Sequence, residues 1–340
     1  MNKDEAIKIS IIIPIYNVSD YIEDCLKSVY RQTYPYIEVI LVNDASPDNS
    51  MTLAIPWITK LQERKYTVQV INHPVNKGLS AARNTGIRTA TTNWIYFLDS
   101  DDELTPECIN LMVEKIKLYP LVDFVIGNIK VIGKNIIFPL TCHPYVNNNK
   151  DILNDYTTSK WYVMACNRLY KRSYLLQNNL FFKEGIYHED DLYSFRLATT
   201  AQAMATVYEN TYIYKLRFNG SITSQRKLKN FEDMLAINAE KYKYILQKYQ
   251  SGDFSIAPTY CIDIAYWFFC ILIANKCMSM KSKCHLIKQM KNEYNMITPF
   301  IGNYSNIKYK MLFYLFKCPS ALIYLFISIR LIKQRITKEI

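Results

Sequence analysis

The stretch NWIYFLDSDDELTP, residues 93–106, runs an apolar segment rich in aromatic residues directly into a cluster of carboxylates. Residues 93–99 read as a buried strand, and Asp99, Asp101, Asp102 and Glu103 crowd its end, where like charges repel. Two readings compete. LTPECINLMVEKIKL (104–118) has amphipathic helical spacing, and acids ahead of a helix cap its amides and suit its dipole. Asp102 and Glu103 fit that role, whereas Asp99 and Asp101 lie before the cap. Alternatively, hard oxygen ligands at a strand end collect a divalent cation, which in turn holds phosphates.

Working outward, IKISIIIPIYN (7–17), IEVILVND (37–44) and TVQVINH (67–73) read as further strands. SDYIEDCLKSVYRQT (19–33), MTLAIPWITKLQERK (51–65, interrupted near Pro56) and LSAARNTGIRTA (79–90) read as the helices between them. This alternation predicts the α/β class: a mostly parallel sheet flanked by helices, with right-handed crossovers. Ligands on such sheets bind beyond the strand C-termini, where Asn17, Asp44, His73 and Asp99 all fall. No GxGxxG follows the first strand and no GxxxxGK[ST] occurs, which argues against a dinucleotide-binding domain and a P-loop NTPase. Further on, DFVIGNIKVI (123–132) and NIIFP (135–139) read as a hairpin, and NRLYKRSYLLQNN (167–179) as a helix. Residues 181–200 read as a loop entering a helix that carries a second acid cluster, Glu189-Asp190-Asp191. Residues 204–217 read as a strand, and the chain is helical from 226 onward.

Half of the 340 residues are apolar, enough for a sizeable core and an appendage. The nine Cys show no CxxC or regular Cys/His spacing, so reduced thiols are expected rather than zinc or disulfides. MNKDEAIKIS lacks an apolar signal region, so the expected location is cytoplasmic. The net charge of +11 is uneven: residues 281–340 hold 11 Lys/Arg against 2 acids. That tail is also apolar, as in MLFYLFKCPSALIYLFISIRLIKQRITK, which points to an anionic membrane surface and away from nucleic acid. CPSALIYLFISI (318–329) is too short to span a bilayer, so an interfacial helix on the inner leaflet is expected. The alternative is a helix pair packed on the core.

Six segments together resemble the family 2 glycosyltransferases: IIIPIYN (11–17), VNDASPDNS (42–50), NKGLSAARNTGI (76–87), FLDSDD (97–102), GIYHEDD (185–191) and YKLRFNGSIT (214–223). They stand in the family's order and span about residues 8–225. The resemblance implies a GT-A fold with a Rossmann-like nucleotide-sugar half. Residues 1–225 would form the catalytic domain and 226–340 a helical, basic and apolar region that associates with a membrane. It implies an inverting, metal-dependent transfer of sugar from a nucleotide-sugar donor, a UDP-sugar, to a hydroxyl of a glycan or lipid-linked acceptor. The setting it suggests is bacterial surface-polysaccharide assembly.

Within that resemblance, DSD (99–101) is the metal motif, with Asp101 the main ligand of Mg²⁺ or Mn²⁺ and Asp99 near the ribose or metal. A cation there neutralises the diphosphate leaving group. Asp44 accepts from the uracil imide, an Asx-turn being the alternative. Pro14, Ile15, Tyr16 and Asn17 line the base pocket, and Asp48 is a turn residue. Lys77 and Arg83 meet the nucleotide or its phosphates beside Gly78, the alternative for Arg83 being a solvent-facing helix position. Asp190 takes the acceptor's proton and Glu189 binds the acceptor, while Asp191 blurs the register by one. His188 is placed near the diphosphate or as a structural residue, and Arg217 and Ser221 in a closing loop. An aspartate-based phosphoryl-transfer enzyme fits less well, because Glu103 stands where a DxDxT motif needs Thr. A sugar-nucleotide pyrophosphorylase lacks its Gly-rich first loop here. A basic membrane- or nucleic-acid-binding module accounts for the tail and for nothing in residues 8–225, and an inactive relative would show nucleotide affinity without turnover.

Overall fold

The computed structural model describes residues 6–216, 226–302 and 304–339, with side chains described as far as residue 332. Arg217 and Ser221 lie outside the described residues. The chain forms two compact units, Met1–Gly185 with Glu189–Arg217, and Ile186–His188 with Phe218–Ile340.

The first unit is built on one sheet. Its strands β1 (Ile9–Ile15), β2 (Ile37–Asn43), β3 (Thr67–Asn72) and β4 (Trp94–Phe97) are parallel. The crossovers carry α1 (Ile22–Tyr30), α2 (Ser50–Glu63) and α3 (Leu79–Thr89). Every residue of β1 is buried, as an apolar run covered on both faces requires. The chain steps outward from β1 to β3, then returns across β1 to pair β4 on its other edge. That reversal opens a crevice beyond the C-terminal ends of β1 and β4. Helix α3 lies directly against β1, because a Cβ on Gly86 would come 2.3 Å from Ile12 Cγ2. Pro56 sits inside α2 without ending it.

Beyond β4 the sheet turns mixed. It adds β5 (Glu103–Leu104), β6 (Phe124–Ile132), β7 (Tyr145–Val146), β8 (Arg168–Lys171) and β9 (Met204–Lys215). The strand order is β3-β2-β1-β4-β8-β6-β9-β5, with β7 on β9. Strand β8 is antiparallel to both β4 and β6, and β6 is parallel to β9. The helices here are α4 (Cys108–Leu118), α5 (Asn149–Thr157), α6 (Arg172–Gln177) and α7 (Glu189–Thr200).

Three sequence expectations are corrected. The hairpin of 123–132 with 135–139 does not form: β6 pairs along its length with β9 and at Phe124–Ile126 with β8, and residues 135–139 pair with no described strand. The helix expected over 167–179 is strand β8 followed by the short α6, because Arg168–Lys171 closes the gap between β4 and β6. The helix expected from 104 begins at Cys108, after β5 has paired with β9. Its N-cap residue is Glu107, so neither Asp102 nor Glu103 caps it.

The second unit is helical: α8 (Leu228–Gln250), α9 (Pro258–Ala274), α10 (Met280–Ile297), α11 (Ile307–Lys317) and α12 (Ser320–Glu339). The apolar α9 touches all four others. Among the described residues no helix is long and apolar enough to cross a membrane.

Candidate active site

The ends of β1 and β2 are tied together by polar contacts. Asp48 accepts from the Ser46 and Ser50 hydroxyls, both at 2.6 Å, and from the Ser19 amide at 2.8 Å. Burial works to raise its carboxyl, but those donors outweigh it and hold Asp48 well below the ordinary carboxylate range. Asn17 takes φ +53 and its amide donates to Ser46 Oγ. Pro14 is buried, and Tyr16, two residues on, is 48 % exposed at the strand end.

Asp44 is buried beside this knot. Its Oδ1 accepts from the Lys77 amide at 2.8 Å and its Oδ2 from the Gly78 amide at 2.7 Å. Oδ1 also meets His73 Nδ1 at 2.6 Å, and His73 Nε2 meets Thr85 Oγ1 at 2.9 Å. The Asx-turn alternative for Asp44 is therefore wrong: its carboxylate holds a loop more than thirty residues away. A carboxylate has about four acceptor positions, and these contacts leave one free on Oδ2. Gly78 reaches φ +87 at the N-terminus of α3, a conformation that side chains resist. Lys77 is exposed at this turn.

The two acid clusters meet at Arg83. This side chain is 1 % exposed, so the solvent-facing alternative is excluded. Its Nη2 donates to Asp99 Oδ1 at 2.7 Å. Its Nη1 donates to Asp190 Oδ1 at 2.7 Å and to Glu189 Oε1 at 3.2 Å. Phe182 lies under the guanidinium, 5.1 Å from ring centre to Cζ, and Nε–H has no partner among the described residues. The terminal nitrogens of Arg83 join the acid motif after β4 to the acids that open α7. Burial raises the Asp190 carboxyl, the Arg83 charge opposes, and the Asp99 charge raises it again, leaving it above its ordinary value. Burial and the Asp190 charge raise Glu189 against Arg83, to about 7. Asp190 keeps 23 % of its side chain exposed, so a substrate hydroxyl can reach it. Asp191 instead faces the Tyr156 hydroxyl, and His188 takes φ +63 just before α7.

The turn after β4 closes with the Asp102 amide on the Asp99 carbonyl at 3.1 Å. Asp102 is buried: it accepts from the Tyr212 hydroxyl and from the Lys215 amide, each at 2.8 Å. The same Tyr212 oxygen accepts from the Asp99 amide at 3.3 Å. Glu103 pairs with Lys215 Nζ at 2.5 Å. Tyr212 and Lys215 thus fix the acid turn, a role the sequence reading did not assign them. The YKLRF segment was the available signal for Lys215; nothing marked Tyr212. Burial, with the Asp101 and Asp99 charges, pushes the Asp102 carboxyl well up. Among the described residues, no three or more His, Cys, Asp or Glu converge as a ready metal cage.

Residues 10–177 match the profile of the family described as Glycosyl transferase family 2. The chain is 32 % identical over 218 residues to the uncharacterized glycosyltransferase EpsJ of Bacillus subtilis, covering 61 % of this chain and 60 % of EpsJ. It is 31 % identical over 241 residues to EpsH of the same organism, covering 68 % of this chain and 67 % of EpsH. Among solved structures, Staphylococcus aureus TarS 1–349 in complex with UDP-GlcNAc is similar, with a TM-score of 0.67 at 17 % identity over 86 % of this chain and 82 % of that one. That likeness establishes the shared fold.

Proposed function

Because the chain belongs to glycosyltransferase family 2, we propose that it transfers a sugar from a UDP-sugar to a hydroxyl of a glycan or lipid-linked acceptor, with inversion, in cell-surface polysaccharide synthesis. The observation that carries this reading is the Arg83 bridge, which brings the acids after β4 and the acids opening α7 onto one guanidinium. In this reading one cluster would serve the donor's diphosphate and the other would supply the base. The UDP-GlcNAc complex of the similar fold supports a uridine donor.

In this reading Tyr16 and Asn17 border the base, and Asp44 offers its remaining acceptor position to the uracil imide. Lys77 faces the nucleotide from the turn before α3. Asp101, with Asp99, would hold Mg²⁺ or Mn²⁺, which when bound neutralises the diphosphate. The acceptor oxygen attacks the anomeric carbon, the bond to the diphosphate breaks, and the hydroxyl proton passes to Asp190. A carboxylate raised above its ordinary value by burial takes that proton more readily. Arg83 keeps Asp190 and Asp99 in register, and Glu189 faces the acceptor. The acceptor is met at the inner face of the cytoplasmic membrane, where the protein is peripheral; the basic, apolar C-terminal segment supports this placement.

The test is thermal shift with UDP, GDP, CMP and UDP-sugars, each with Mn²⁺ or EDTA. A ligand that binds only the folded state raises Tm. Metal-dependent stabilisation by UDP or a UDP-sugar, abolished in Asp101→Ala, is expected. No shift with any uridine nucleotide would overturn the donor assignment.

A further inference from the structure

Helices α11 and α12 each bury one face and leave the opposite face apolar. In α12, Ile323 and Ile327 are buried, while Leu322, Leu325, Ile329 and Ile332 are exposed at spacings of three and four. Those spacings place the four exposed residues on one stripe, opposite the buried pair. In α11, Leu312, Phe313 and Phe316 are buried, while Ile307, Met311 and Tyr314 line up on the exposed side. Both helices touch α9, whose Trp267 is 64 % exposed. Soluble surfaces rarely carry so many large apolar side chains in line.

Charge selects the occupant. Residues 305–340 contain seven Lys or Arg against one acid, Glu339. Lys310 and Lys317 are exposed and, by helical position, flank one side of the α11 stripe, while Lys308 flanks the other. Arg330 of α12 lies over the Tyr266 ring, 5.2 Å from its centre. An apolar stripe edged by cations, on helices too short or too polar to cross a bilayer, matches the pattern of a helix lying in an anionic headgroup layer. Self-association through this face would set two strongly cationic surfaces against each other, so a second copy fits poorly.

We propose that the exposed stripes of α11 and α12 dock this chain on an anionic lipid surface. The docking holds the helices in the interfacial plane, apolar stripe inward and lysines at headgroup phosphates. This deepens the membrane placement proposed above and rests on it; the donor chemistry is independent of it.

The experiment is sedimentation of the full chain with vesicles of phosphatidylcholine alone and with one-third phosphatidylglycerol, at two salt concentrations. Parent protein, Leu325→Glu/Ile329→Glu and Lys310→Gln/Lys317→Gln are compared. All substituted positions are exposed, and UDP-induced thermal shift in each variant checks that the fold persists. Expected is salt-sensitive binding to the anionic vesicles, lost in the Glu variant. The Gln variant should bind roughly ten-fold or more weakly, since each charge near such a surface is worth about five-fold. Anionic binding that survives unchanged in both variants would overturn the docking face while leaving the membrane placement standing. Absence of vesicle binding in the parent, with its UDP shift intact, would overturn both; sedimentation analysis showing a dimer that both variants disrupt would overturn the docking face.

Discussion

Replacing Arg83 by Leu tests the central contact of the proposed site. The guanidinium is buried and makes three bonds to Asp99, Glu189 and Asp190. Removing one partner of a buried ionic network typically costs 3–5 kcal/mol, because the remaining charges are left uncompensated. For a unit of roughly 200 residues that corresponds to a fall in Tm on the order of 10 °C. The loss should depend on pH with a definite sign. Glu189 already stands at about 7 with Arg83 present, above its ordinary value. Its folded form therefore binds more protons than its unfolded form, so its contribution to stability declines as pH rises from about 4.3, the unfolded value, towards 7. Without Arg83 the same carboxyl rises further and the decline continues above 7. The variant's deficit then grows by about 1.4 kcal/mol for each pH unit over which it keeps one extra proton. Thermal unfolding of parent and variant at pH 6 and pH 8 measures this, with the larger deficit expected at pH 8. Arg83→Lys, which keeps a charge but not the two-armed geometry, should fall between them. A deficit below about 1 kcal/mol, or one larger at pH 6 than at pH 8, would refute the network.

Three further substitutions probe the scaffold around this contact. Tyr212→Phe removes the hydroxyl shared by the Asp99 amide and Asp102, leaving a buried carboxyl short of a donor. It should cost about 1–3 kcal/mol in chemical denaturation and weaken metal-dependent nucleotide binding by calorimetry. Gly78→Ala meets no atom within 4 Å, so only its φ of +87° opposes it. A loss of about 1–3 kcal/mol is expected, together with weaker UDP binding, whereas a neutral effect would show that the turn before α3 relaxes freely. Gly86→Ala drives a methyl into Ile12 of β1 at 2.3 Å, and its effect should be on stability, with UDP affinity per folded molecule retained.

What was legible in the sequence is the half of the fold whose local pattern and final environment agree. Strands β1 and β2 lie within a residue or two of the expected 7–17 and 37–44, because a strand covered on both faces reads as an unbroken apolar run. The errors arise where partners distant in sequence decide. NIIFP has the composition of a strand, yet the partner that β6 takes along its whole length is β9, far on in the sequence. Residues 167–179 read as a helix, but in the sheet Arg168 Nη1 meets Ser194 Oγ at 2.9 Å, with its guanidinium 4.8 Å from the Trp161 ring centre. The acids follow the same rule. Asp102 and Glu103 looked like caps because a helix follows, but their partners are on β9, over a hundred residues away, and only the closed sheet brings Tyr212 and Lys215 to them. At Arg83 the sequence offered a motif but no geometry: an arginine that meets three acids from two distant segments is a product of the tertiary fold. Its binding partners are therefore the feature that substitution of Arg83 tests most directly.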